Sequence, residues 1–277
     1  KISFCNFTEN RIQYQMGSTG IGMGGALYFS GSSLQISNCE FRKQLIHVEN
    51  FFCYIPGAQI THASGGAIMG SADHFNIENS VFDFNKIEVF CSLTTGSTVA
   101  GGATYLLNAE SCVFNNVSFV ENSAQGDITS GGAASCDFYH SFSNCTFERN
   151  FCSSSDPDYS DKSATDLISV SGGAISSIQN ISISDSYFNS NRATVGGAVA
   201  LIGVQNRTNF NNVNFFNNSG FIGGGLYVVE YNETLEKESF GNFINNSAFL
   251  YGDSVGSGPL QLETPVNQAI VFPGEIL

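Results

Sequence analysis

Two short words alternate along this chain. A sequence that repeats itself every few dozen residues can bury its apolar side chains only by stacking one copy on the next. The first word is Gly-Gly-Ala-aliphatic, at Gly24-Gly25-Ala26-Leu27, Gly65-Gly66-Ala67-Ile68, Gly172-Gly173-Ala174-Ile175 and Gly196-Gly197-Ala198-Val199, with variants starting at Gly101, Gly131 and Gly223. The second is Phe-x-x-Asn, at Phe7/Asn10, Phe82/Asn85, Phe119/Asn122, Phe147/Asn150, Phe188/Asn191, Phe215/Asn218 and Phe243/Asn246, while Phe41 is followed by Gln44 in the Asn position.

Alignment on the Phe exposes further columns. Three residues earlier stand Asn38, Asn79, Asn116, Asn144, Asp185 and Asn212, and two earlier stand small or soft residues, Cys5, Cys39, Ser80, Val117, Cys145, Ser186, Val213 and Gly241. The glycine pair precedes the next Phe by 16 to 20 residues, whereas the return from Phe to the next pair takes 17, 24, 19, 12, 25, 8 and 8 residues, so insertions enter at one corner only. The shortest period, Gly172 to Gly196, is 24 residues, too short for a strand-helix-strand unit of roughly 30 or more but enough for three short strands and three turns. The expectation is an all-β chain, a parallel β-helix of about seven to eight coils over residues 1–253, with 254–277 as a non-repeat C-terminal cap or tail leading to further sequence. Aligning Ser247–Asp253 with Ser219–Gly225 sets Tyr251 against Gly223 and Asp253 against Gly225, a degenerate last coil.

Stacked parallel strands lie about 4.8 Å apart, so equal columns become ladders. Phe7, Phe41, Phe82, Phe119, Phe147, Phe188, Phe215 and Phe243 form one interior aromatic ladder on this reading. Asn columns exchange side-chain amides along the axis and tolerate left-handed corners. The paired glycines suit a bend with positive φ. Glu9 then neighbours Lys43 and Glu121 neighbours Arg149 across coils, exposed pairs that contribute about 0.2–1 kcal/mol at most.

These two words together, GGA[ILV] and FxxN, resemble the polymorphic outer membrane protein repeats of bacterial autotransporters and large surface proteins of some protists, over about residues 1–253. The resemblance implies a right-handed β-helix, a hand that parallel crossover connections also favour. In the bacterial family it implies a surface-displayed adhesive passenger followed by a membrane β-barrel.

Only 12% of the residues are charged, the net charge is −14, and 42% are hydrophobic with 25 Phe and no Trp. That balance argues against nucleic acid or an anionic membrane surface as partner, and the core it supplies argues against wholesale disorder. No run approaches the roughly 18 apolar residues of a membrane span, and Lys1-Ile2-Ser3-Phe4-Cys5 lacks the shape of a signal peptide, so the chain reads as a mature or partial piece.

Eight cysteines have no metal-type spacing. Cys53 and Cys91 fall in inserted segments at the same corner of consecutive coils, which makes them the disulfide candidates and points to a compartment outside the reducing cytosol. Asn-x-Ser/Thr sequons at Asn206 and Asn232 lie in polar stretches where a glycan projects, with Asn6, Asn180, Asn217 and Asn245 as further glycosylation candidates, while Asn116 and Asn144 stand in the turn column and read as structural. The outward column after the Phe (Thr8, Arg42, Asp83, Val120, Glu148, Asn189, Phe216, Ile244) carries no paired carboxylates. His47, His62, His74 and His140 share no column and read as loop or surface residues, and the acidic segment with Asp156, Asp158, Asp161 and Asp166 reads as a solvated loop rather than a calcium site. No catalytic, cofactor or metal residues are therefore assigned.

The expected function is a non-enzymatic extracellular or cell-surface structural or adhesive module, or a fibre subunit. It presents loops 42–64, 83–100 and 148–171 from one corner to copies of itself, to other surface or matrix proteins, or to glycans. The alternatives are a carbohydrate-active lyase or hydrolase built on a β-helix, and a bacterial autotransporter passenger adhesin.

Overall fold

The computed structural model describes residues 1–16, 21–50, 62–91, 97–154, 170–203, 208–229, 240–257, 260–262 and 269–271. The chain is an all-β parallel β-helix, with no α-helix among the described residues. Each coil carries three short strands in turn. A glycine-face strand follows the Gly pair (Leu27–Ser30, Ile68–Ser71 and so on), then a middle-face strand (Ser33–Ser37, His74–Glu78), then a phenylalanine-face strand (Glu40–Arg42, Val81–Asp83). The three faces are stacked sheets of eight, seven and eight strands.

Register is parallel and holds residue by residue through the phenylalanine face, where Phe7, Phe41, Phe82, Phe119, Phe147, Phe188, Phe215 and Phe243 are successive partners. Their rings stack with centroids 4.6 to 5.0 Å apart and planes within 12°. Phe7 and Phe243, at the two ends, are half-buried and the six between them are fully buried. Each buried ring removes enough apolar surface to contribute about 2–3 kcal/mol.

Corners are built by left-handed residues. Asn38, Asn79, Asn116, Asn144, Asp185 and Asn212 all have φ near +50° (48° to 55°), as does Phe4 in the first coil. A second left-handed column immediately precedes the last residue of each Phe-x-x-Asn word and Gln44, at Glu9, Lys43, Phe84, Glu121, Arg149, Ser190, Asn217 and Asn245. The expected charge pairs sit there, Lys43 Nζ 3.4 Å from Glu9 and Arg149 Nε 2.8 Å from Glu121.

The two glycines of a pair are required for different reasons. Gly65 takes φ +62°, while a Cβ on Gly66 would lie 1.8 Å from the carbonyl oxygen of Gly102 on the next coil. Side-chain-free backbone is what lets successive coils approach at this corner.

Two expectations need correction. The inserted segments are not only loops. After the phenylalanine face, Arg11–Met16, Leu45–Asn50, Lys86–Cys91, Ser123–Gly126 and Phe151–Ser154 stack into one five-stranded parallel sheet, and Ile21–Met23, His62–Ser64, Thr98–Ala100, Ile128–Ser130 and Val170–Ser171 into another. These sheets close on a core of their own, made of Ile46, Val48, Ala63, Ile87, Val89, Val99 and Ala124, and form a lateral wing. In the fourth coil the wing turns at Asp127, whose carboxylate accepts from the Ser97 N–H at 3.1 Å and hydroxyl at 2.9 Å.

The register of the last coil is also one residue off the sequence alignment. Gly223 N–H donates to Tyr251 O and Gly224 N–H to Gly252 O, so Gly252, with φ +76°, takes the first glycine position and Asp253 the second. A bulge between Ala248 and Tyr251, opposite Gly220–Ile222, absorbs the extra residue. Val255–Ser257 then pairs with Leu226–Val229 as a further strand of the glycine face. Leu260–Leu262 and Ala269–Val271 form a separate antiparallel pair.

Candidate functional site

The wing ends abruptly because the sequence runs out of residues to build it. The eight-residue connection from Phe188 to Gly196 replaces the wing strands by isolated bridges, Arg192 to Phe151 and Ser219, and Val195 to Ser171 and Ile222. The coils beyond cross directly to the glycine corner, and the last wing strand, Phe151–Ser154, is left as the rim of a step. Under that rim opens a groove of about 480 Å³. One side is lined by Phe151, Cys152, Ser153 and Ser154, and the short connections contribute Arg192, Ala193 and Thr194, then Ser219, Gly220 and Phe221. Phe249, from the last coil, completes it.

Rings and one cation dominate the groove. Phe221 and Phe249 stack at 5.1 Å, and Phe249 is 81% exposed. The Arg192 guanidinium lies 5.8 Å from the centre of the Phe151 ring, a cation–π distance. Ser153, Ser154, Thr194 and Ser219 belong to the same lining, which among the described residues contains no carboxylate and no imidazole. Behind it Cys152, Val170 and Ala193 pack together. Burial pushes the Cys152 thiol up to about 12, so it is packing material rather than a nucleophile.

The histidines do not share one fate. His140 is not a loop or surface residue: it is fully buried on the middle face, stacked on the cores of Phe114 and Phe142, with Nδ1 2.8 Å from Phe138 O. His47, on the wing, is half-buried and pairs with Glu88 at 3.2 Å, and Lys86 also pairs with Glu88. His62 is half-buried on the return strand of the wing, its pKa lowered by burial against the opposing pull of Asp137. Asp137 accepts a hydrogen bond from Tyr105, whose phenol pKa is raised, first by burial and then by that carboxylate. His74 is exposed. Among the described residues no group of three or more His, Cys, Asp and Glu is arranged to hold a metal ion.

Of the disulfide candidates, Cys53 lies outside the described residues, and Cys91 ends a wing strand opposite Asn50 with its side chain undescribed. The six other cysteines, Cys5, Cys39, Cys112, Cys136, Cys145 and Cys152, are free thiols. The preferred glycosylation candidates, Asn206 and Asn232, also fall outside the described residues, as do the aspartates of 156–166. Asn6 is exposed on the outer side of the phenylalanine face, Asn217 and Asn245 are exposed in the second left-handed column, and Asn180 is half-buried before a middle-face strand. Asn116 and Asn144 form part of an amide ladder, Asn116 donating to Asn79 at 2.8 Å and Asn144 to Asn116 at 3.3 Å.

The sequence reading missed the groove. Its signal was present: the drop of the Phe-to-Gly spacing from 25 to 8 residues at Phe188 marks where the wing must stop. Comparison with known proteins finds no matching family model, no matching curated protein and no matching solved structure.

Proposed function

We propose that the chain is a non-enzymatic module of an extracellular or cell-surface protein, a stiff β-helical rod that engages surface or matrix glycoproteins at the end of its wing. The observation that supports this reading is the stepped groove, whose lining brings Phe151, Phe221 and Phe249 together with Arg192 and several Ser and Thr residues. Aromatic faces take up the apolar face of a sugar ring, a guanidinium pairs with a carboxylate, and hydroxyls exchange hydrogen bonds with sugar hydroxyls. An acidic oligosaccharide fits that set. Held on a rigid scaffold, such a groove loses less entropy on binding than one on a free loop.

The test is an array of neutral and acidic oligosaccharides probed with the whole chain and with Arg192→Ala and Phe249→Ser variants. Selective binding of acidic glycans, weakened at least tenfold by either variant, supports the reading. Equal binding by all three proteins overturns it, and newly formed reducing or unsaturated sugar ends in the same incubation would establish the lyase or hydrolase alternative instead.

A further inference from the structure

Cys5 and Cys39 occupy the same column of adjacent coils. The offset between the coils is 34 residues on both flanks, with Ile2 opposite Ile36 and Ser3 opposite Ser37 before them, and Asn6 opposite Glu40 after them. The backbone closes around the pair, Phe4 N–H donating to Ser37 O at 3.1 Å and Glu40 N–H to Cys5 O at 2.9 Å. Directly stacked residues of neighbouring parallel strands lie about 4.8 Å apart, inside the roughly 4.4–6.8 Å of Cα separation that a disulfide spans. Cys39 Sγ already leans toward the first coil, 3.4 Å from the backbone nitrogen of Cys5.

The two thiols differ in access. Cys39 is buried, its pKa raised by burial against the lowering hydrogen bond from the Cys5 backbone, and its Sγ donates to Ser37 O at 3.2 Å. Cys5 is half-buried and its Sγ donates to Ser3 O at 3.3 Å. No other cysteine of the column has such a neighbour: Cys145 stands between Val117 and Ser186, and its N–H donates to the Ser186 hydroxyl at 3.0 Å.

We propose that Cys5 and Cys39 form an axial disulfide that staples the first coil to the second under oxidising conditions. The reaction is exchange with a small-molecule disulfide. The accessible Cys5 thiolate attacks one sulfur of the oxidant, breaking its S–S bond and releasing one small thiol. Cys39, losing its proton, attacks the Cys5 sulfur of the resulting mixed disulfide and expels the second. Two protein thiols are oxidised, one small disulfide is reduced to two thiols, and the two protons leave with them.

The experiment incubates the reduced chain with excess oxidised glutathione, blocks the remaining thiols by alkylation and digests with trypsin. Cleavage after Lys1, Arg11 and Arg42 places Cys5 in peptide 2–11 and Cys39 in peptide 12–42. The expected result is one cross-linked species joining these peptides, lighter than their sum by two hydrogens, with Cys145 recovered as alkylated thiol. The same digest on a Cys53→Ser/Cys91→Ser variant removes the competing thiols and must give the same cross-link. Recovery of Cys5 as a glutathione adduct, or of Cys5 and Cys39 both alkylated in that variant, overturns the proposal.

Discussion

Asn122 donates its side-chain amide to Oδ1 of Asn150 at 3.0 Å, across 28 residues of sequence and one coil of the stack. The same amide nitrogen donates to Phe82 O at 2.9 Å, and Asn122 Oδ1 accepts from both the backbone and the side chain of Asn85. Every polar atom of this fully buried side chain is satisfied, and the pattern repeats at Asn150, Asn191 and Asn218. Replacement by Ala leaves several groups unpaired at about 1–3 kcal/mol each. Asn122→Ala is therefore expected to cost at least about 3 kcal/mol in urea unfolding, whereas Arg149→Ala, which removes an exposed ion pair, costs less than about 1 kcal/mol. Equal losses for the two would refute the ladder as a source of stability.

Gly66→Ala is predicted to abolish the fold. The new Cβ falls 1.8 Å from the backbone oxygen of Gly102, which has no flexible end to move aside, so the coils that Gly66 and Gly102 belong to separate. Circular dichroism and soluble yield report it, and a folded variant with an unchanged midpoint would contradict the close approach.

Stability should fall in acid through His140. Burial lowers its pKa from 6.5 to about 4. Between those values the unfolded chain binds a proton that the folded chain refuses, so this contribution is complete above pH 6.5, is lost as pH drops toward 4 and is level below that. The full effect is about 3 kcal/mol. The difference between wild type and His140→Phe, measured by denaturation from pH 7.5 to 4, should show that slope, and a flat difference would rule it out.

Native thiol labelling should discriminate sharply. Cys112, Cys136, Cys145 and Cys152 are buried with raised pKa, Cys145 and Cys152 to about 12. At pH 8 these four should resist alkylation in the folded chain and react once urea is added. Rapid labelling of any of them before unfolding would show that the core opens locally.

The columns were legible because a solenoid repeats the same environment at each coil, so one residue type per column is read directly as a buried ladder or an exposed corner. Even the one departure, Gln44, keeps register: its Oε1 accepts from Asn10 at 2.8 Å and its Nε2 donates to Phe7 O at 2.6 Å. The wing was harder to read, since its strands sit at different distances from the Phe in different coils. The alternation of Ile46 and Val48 with His47, and of Ile87 and Val89 with Glu88, was the available cue for two-sided strands. His140 was missed because its neighbours in register, Cys112 and Ile181, are not aromatic. The slip at Gly252 was concealed by a bulge, which shifts register without any change of composition.

Because each amide of the Asn column donates one hydrogen to the Asn oxygen of the C-terminal coil and presents its own oxygen to the Asn of the N-terminal one, the Asn-to-Asn series has a sense, like an arrow. At one extremity the Asn10 amide oxygen is the leading atom of the series, and at the other Asn246 closes it by donating to Phe215 O. Asp253 adds a second asymmetry, since it places a side chain where the coils before it have Gly66, Gly102, Gly132, Gly173, Gly197 and Gly224. The glycine corner thus presents bare backbone to the following coil at every level up to Gly224 and a side chain at Asp253, so the two ends of the stack differ in what they offer a neighbour.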